Sequence, residues 1–68
     1  MAVSYKRLWK LLIDEDMKKS DLEREAGISH YTVYKLSHGD NVTTEVLEKI
    51  CKALNCSVEE IMEFTNDE

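Results

Sequence analysis

Residues 20–37 read SDLEREAGISHYTVYKLS, and this stretch decides the fold. Its apolar positions, Leu22, Ala26, Ile28, Val33 and Leu36, are interrupted by Gly27, so two short helices are predicted rather than one long one. The first, about 20–26, opens at Ser20, with Glu23 placed three residues on to complete a capping box. Gly27 lets the chain leave that helix with a positive φ. Both that φ and the absence of bulk are expected to be needed there, where the two helices cross. Ile28 plugs the corner. Ser29 caps the second helix, about 29–37, whose inward residues are Val33 and Leu36. Gly39 ends it.

The spacing Leu22-x3-Ala26-Gly27-Ile28-x4-Val33-x2-Leu36 is that of a helix-turn-helix. Two helices joined by so short a turn cross steeply. The second can then bury only a narrow stripe, and its remaining face is free to enter a DNA major groove, which is wide enough to admit a helix. With Val33 and Leu36 inward, Tyr31 and Lys35 point out, and His30 and Thr32 lie on the flanks.

Working outward, Tyr5, Leu8, Trp9 and Leu12 recur at helical period and predict a first helix, with Ser4 as its cap. The polar stretch Asp14 to Lys19 ends it. Beyond Gly39, a loop leads to Thr43 as the next cap, and Leu47, Ile50, Cys51 and Leu54 predict a fourth helix. Ser57 and Glu60 form a further capping box, which predicts a fifth helix carrying Val58, Ile61, Met62 and Phe64. The tail, Thr65 to Glu68, is expected to fray. The run Asn41 to Thr44 favours strand but is isolated, and one strand cannot stand alone. The reading is therefore all-α, a compact five-helix domain spanning residues 1–68.

The 68 residues suffice for one domain, and a core of this size is marginal unless the chain pairs with a copy of itself. The formal net charge of -5 hides an asymmetry. Residues 1–38 hold seven Lys and Arg against six acids, whereas residues 39–68 hold two against eight. The first half is thus able to face a phosphate backbone. No apolar run approaches a bilayer span and no secretory signal opens the chain, so a cytoplasmic protein with reduced thiols is expected, with no membrane partner. His30, His38, Cys51 and Cys56 match no zinc template, and no cofactor or metal is expected. No nucleophile–base–orienter set is legible, so the chain reads as no enzyme.

At this point the sequence resembles the Cro/C1-type helix-turn-helix family of phage and bacterial regulators, over about Leu8 to Ile61. The residues that carry the likeness are Asp21-Leu22, Ala26-Gly27-Ile28-Ser29, Thr32-Val33, Lys35-Leu36, Gly39, and Leu47-x2-Ile50-x3-Leu54. Arg7-Leu8-Trp9-Lys10-Leu11-Leu12 and Lys49-Ile50-Cys51 are similar to a subgroup of very small, stand-alone regulators. The resemblance implies a lambda-repressor-like fold of five helices, sequence-specific operator binding, and usually a dimer. Its recognition positions map onto Ser29, His30, Tyr31, Thr32 and Lys35. Lys35 would donate to guanine, and Tyr31 or Thr32 would meet a thymine methyl. Lys18, Lys19, His38 and the loop near Asn41 would hold phosphates. Tyr34 either covers the core edge or touches DNA.

The chain departs from the family pattern at five places. Lys18 and Lys19 stand where Thr-Gln often opens the supporting helix; neither caps as Thr does. Glu23 replaces an Ala at the helix–helix contact, and its carboxylate must reach solvent or a partner. Leu12 and Ser37 replace an Arg–Glu pair, and losing both partners leaves no orphan charge. The function expected is a DNA-binding transcriptional regulator, a repressor acting as a weak homodimer on a short palindromic operator. The dimer is expected to form through the last helix, with Ile61, Met62 and Phe64 in contact. The alternative is an antitoxin or accessory module that uses the same fold against a partner protein.

Overall fold

Within residues 2–66, which this computed structural model describes, a short strand, four helices, a 3-10 turn and a second strand follow one another. They are β1 (Ala2–Ser4), α1 (Lys6–Asp14), α2 (Lys19–Ala26), α3 (His30–Ser37), α4 (Thr44–Leu54), the 3-10 turn (Val58–Glu60) and β2 (Glu63–Thr65). Side-chain caps set two of the helix starts. The Ser29 hydroxyl accepts from the Thr32 amide at 3.1 Å, and the Thr43 hydroxyl from the Val46 amide at 3.3 Å. Each satisfies an amide that the first helical turn leaves unpaired.

The supporting helix starts one residue earlier than Ser20. Lys18 occupies the cap position, and its backbone N–H donates to the Asp21 carboxylate at 2.9 Å. An ammonium cannot accept from the helix amides, so only this half of a capping box operates. Asp21, not Glu23, supplies it. Arg24 donates to the other Asp21 oxygen at 2.9 Å. That carboxylate sits at the positive end of the helix dipole, where negative charge is favoured.

One core holds every element together. Tyr5, Leu8 and Leu12 of the first helical segment meet Leu22, Ala26, Ile28, Val33 and Leu36 of the two crossing helices, with Ile50 and Ile61 closing the cluster. The buried stripe of α3 is narrow, as its pattern requires: Val33 and Leu36 are inside, while Tyr31 and Tyr34 are exposed. The Tyr5 hydroxyl donates to the Asp40 carbonyl at 3.0 Å, which ties the chain's start to the loop after α3.

The expected fifth helix is corrected. Ser57 and Glu60 do form their reciprocal cap, with the Ser57 amide donating to Glu60 at 2.9 Å, but it opens only a single 3-10 turn. Glu63–Thr65 is then a strand, antiparallel to β1 in the register Ala2 to Thr65, Val3 to Phe64 and Ser4 to Glu63. The fold is mostly helical with a small sheet, not all-α. The physical reason is a partner some 60 residues away in sequence: Phe64 gains an apolar neighbour across the strands in Val3. Thr65 lies within β2, and its hydroxyl donates to the Ala2 carbonyl at 3.2 Å. Asp67 and Glu68 lie outside the described residues. Two-stranded ribbons are marginal alone. This one is fastened by Arg7, which reaches Glu63 at 3.0 Å and the Glu59 carbonyl at 2.8 Å.

Ile61 is fully buried, with 0% of its surface exposed, so it is a core residue and presents nothing to a second chain. Its assignment as a dimer contact is corrected on that ground. The reading of Gly27 also needs one amendment. Its φ of +67° is left-handed as expected, but an added Cβ would meet nothing within 4 Å. The turn requires the backbone conformation, not the missing bulk.

Candidate nucleic-acid interface

The outward surface of α3 carries the residues expected to read DNA, and the structure shows what each is attached to. At the helix start, the Ser29 and Thr32 hydroxyls share a hydrogen bond of 2.9 Å. Next to them His30, whose side chain is 89% exposed, places Nδ1 2.9 Å from the Glu23 carboxylate. This contact resolves the unusual glutamate: it is half-buried beside the helix crossing and finds its partner on the recognition helix. A carboxylate only accepts, so Nδ1 carries a proton and Nε2 faces away from Glu23.

Along the helix, Tyr31 and Tyr34 are stacked, with centroids 6.3 Å apart and planes inclined by 15°. Lys35 places its ammonium 5.8 Å from the Tyr31 ring centre. One turn further, His38 packs against Tyr34 with centroids 4.1 Å apart. The Nδ1 of His38 lies 2.9 Å from the Tyr34 carbonyl, which again commits that nitrogen as the donor. Neutral His38 therefore offers an acceptor at Nε2. It can donate to a phosphate oxygen only when doubly protonated.

The start of α2 lies beside the end of α3. Lys19 donates to the Ser37 hydroxyl at 3.0 Å and rests 4.7 Å from the centre of the Trp9 ring. This contact links the supporting and recognition helices near the place where the family's Arg–Glu pair is missing. It was not legible in the sequence, because Trp9, Lys19 and Ser37 share no local pattern. Lys19, Glu23, His30, Tyr34, Ser37 and His38 line one continuous cleft between the two helices. Lys18, just before α2, and Asn41, in the loop after α3, are exposed and do not line this cleft.

Met62 and Phe64 lie elsewhere. With Leu47 and Val58 they border a second, apolar cleft that shares no residue with the first. Phe64 is 65% exposed and Val58 43%, whereas Met62 is half-buried. Cys51 and Cys56 are both half-buried, and burial, reinforced by Cys51, pushes the Cys56 thiol up to about 11. It keeps its proton at neutral pH and behaves as an apolar side chain.

The arrangement is therefore a short helix pair with one ordered polar and aromatic face. Residues 7–67 match the family of Cro/C1-type HTH DNA-binding domains. The chain belongs to that family. It is a DNA-binding family, not an enzymatic one. Among solved structures, the chain is similar to a crystal structure of the transcriptional regulator VanUg, at 50% identity and a TM-score of 0.87. The match covers 91% of this chain and 83% of the other. No curated protein matches the sequence. Among the described residues, no helix is long and apolar enough to cross a membrane.

Proposed function

We propose that this protein is a sequence-specific transcriptional repressor that binds a short palindromic operator in double-stranded DNA as a dimer. The observation that carries the reading is the α3 face. Tyr31 and His30 are exposed and Lys35 is half-buried on a helix whose Val33 and Leu36 are locked into the core, and the likeness to a transcriptional regulator extends over nearly the whole chain. Ser29, His30, Tyr31, Thr32 and Lys35 face the bases. Lys18, Lys19, His38 and Asn41 face the flanking phosphates, which fix the register of the helix in the groove. The cytoplasm is the compartment this role requires.

A single chain of this size covers one half-site, and specific affinity generally comes from two half-sites a helical turn apart. The second copy is supplied through the apolar surface of Val58, Met62 and Phe64, in place of the helical interface that the sequence suggested. Glu63 is held by Arg7 and Glu60 by Ser57, which turns two of the three local carboxylates toward their own chain. The resulting contact is small, so the dimer is weak in the absence of DNA.

Selection of bound duplexes from a random DNA pool tests the DNA reading. The expected result is an enriched motif with two-fold symmetry. A pool that returns no motif would favour the protein-partner alternative, for which the acidic second half of the chain offers a surface. Sedimentation of wild type and Phe64→Ser tests the interface. The wild type is expected to dimerise at high concentration and the variant to remain monomeric; equal association of the two would exclude this surface.

A further inference from the structure

The outward face of α3 is mostly aromatic, and the core does not account for it. Tyr31 is 67% exposed and Tyr34 52%, and neither belongs to the cluster of buried residues or to the side chains packed on it. The rings instead order each other. Tyr31 stacks on Tyr34, His38 packs against Tyr34 with its plane tilted by 37°, and Lys35 lies against Tyr31, so a row of rings runs from residue 31 to residue 38. Seven residues of helix rise about 10 Å, which spans about three base steps of a duplex. Ordering in the free protein matters, because side chains already fixed lose little freedom on binding.

The chemistry of the groove narrows what such a row can read. Guanine, cytosine and adenine offer only hydrogen-bonding atoms at their major-groove edges. Thymine alone adds an apolar group, the C5-methyl. A ring laid against a polar edge strips water from it and returns no hydrogen bond. A ring laid against a methyl removes apolar surface from water on both sides. Each tyrosine hydroxyl, at the tip of its ring, remains available to a phosphate or a base acceptor.

We propose that Tyr31 and Tyr34 together read thymine methyl groups, so that each operator half-site contains thymines at one or two positions under this row. Lys35, held against the Tyr31 ring, reads the position next to the one that Tyr31 covers. Tyr34 thereby becomes a specificity-determining residue rather than a cover for the core edge. The inference rests on the DNA reading above and specifies the chemical group that is recognised.

The test replaces selected thymines in the operator, one at a time, by deoxyuridine. This removes the methyl and leaves the base pairing and the O4 acceptor unchanged. Binding is measured by fluorescence anisotropy at fixed salt, with wild type, Tyr31→Ser and Tyr34→Ser. Both substituted positions are exposed, so the variants fold. At one or two positions per half-site, loss of the methyl should weaken wild-type binding about fourfold, the effect of burying one methyl-sized group. The serine variant that removes the contacting ring should bind the thymine and deoxyuridine operators equally at that position. Equal wild-type affinity for every deoxyuridine operator, with sequence preference intact, would overturn the inference and leave the DNA reading standing. So would a methyl effect that persists in both serine variants. Absence of sequence-specific binding to any duplex would overturn the DNA reading and the inference together.

Discussion

The recognition helix and the C-terminal strand are held by opposite means. Contacts around α3 are mostly local: Ser29 with Thr32, Tyr31 with Tyr34, Tyr34 with His38 and Glu23 with His30 all lie within seven residues of each other. Contacts around β2 are long-range. Arg7 reaches Glu59 across 52 residues and Thr65 reaches Ala2 across 63. A face that organises itself locally can vary its outward residues without loosening the body. A strand that closes the chain ends on each other cannot, because its buried neighbour Ile61 belongs to the same core as Leu8 and Leu36.

The largest effect should follow from attacking the second region. Ile61→Ala removes a fully buried side chain and should cost about 2–5 kcal/mol. That is a large part of the stability expected for so small a domain. Thermal melts at two protein concentrations check it. A loss that disappears on dilution would return Ile61 to an interface and erase the contrast.

Substitutions on the recognition face should leave the melting temperature nearly unchanged and alter DNA binding instead. Lys35→Ala should relax the preferred sequence by about 1–3 kcal/mol of discrimination, as expected for a lost base contact. Lys19→Ala should weaken all sequences alike and lower the salt slope by about one unit. Its ammonium lies at the Ser37 hydroxyl and the Trp9 ring, where it borders the cleft without belonging to the outward stripe. Selected motifs and salt titrations of both variants distinguish the two roles. An unchanged motif for Lys35→Ala would remove it from the base-reading set.

At the turns that frame α3 the effects should be smaller and nearly equal. Gly27 and Gly39 have φ of +67° and +71°, and an added Cβ at either meets open space or ordinary contact. Alanine at each should cost about 1 kcal/mol through backbone conformation alone. Denaturant melts of Gly27→Ala and Gly39→Ala check this. A much larger loss at Gly27 would mean that packing at the helix crossing is tighter than this structure shows.

The smallest effect belongs to Asp21. The backbone N–H of Lys18, then Arg24, hold its carboxyl below the usual aspartate range. A lowered value in the folded state means that the stabilisation is present above the unfolded value and is lost as pH falls through the folded one. Asp21→Asn should therefore lower the melting temperature slightly at neutral pH, and the gap should close in acid. A gap that is constant with pH would show that the charge plays no part.

The same contrast explains what could be read without a structure. Caps and turns are chemical signals confined to a few residues, so Ser29, Thr43, Gly27, Gly39 and the narrow stripe of Val33 and Leu36 were legible. The Ser57–Glu60 cap was legible too, but a cap opens a helix without setting its length. Whether Met62 to Thr65 coil or extend depends on Val3, which no local period reveals. Likewise, Tyr31 was legible as an outward residue, whereas Tyr34 stayed open between the core edge and DNA, and the stacking of the two rings was not legible. The mooring of Lys19 on Trp9 and Ser37 required the first, second and third helices at once.

The most direct test of the account is the affinity for a selected palindromic duplex and for its scrambled counterpart, measured as salt rises from about 50 to about 200 mM. Both affinities should fall steeply, by about one logarithmic unit of slope per phosphate contact. The palindrome should remain at least about a thousandfold tighter throughout. An affinity that ignores salt, or a palindrome bound no better than the scrambled duplex, would contradict the assignment of α3 as a helix that reads DNA.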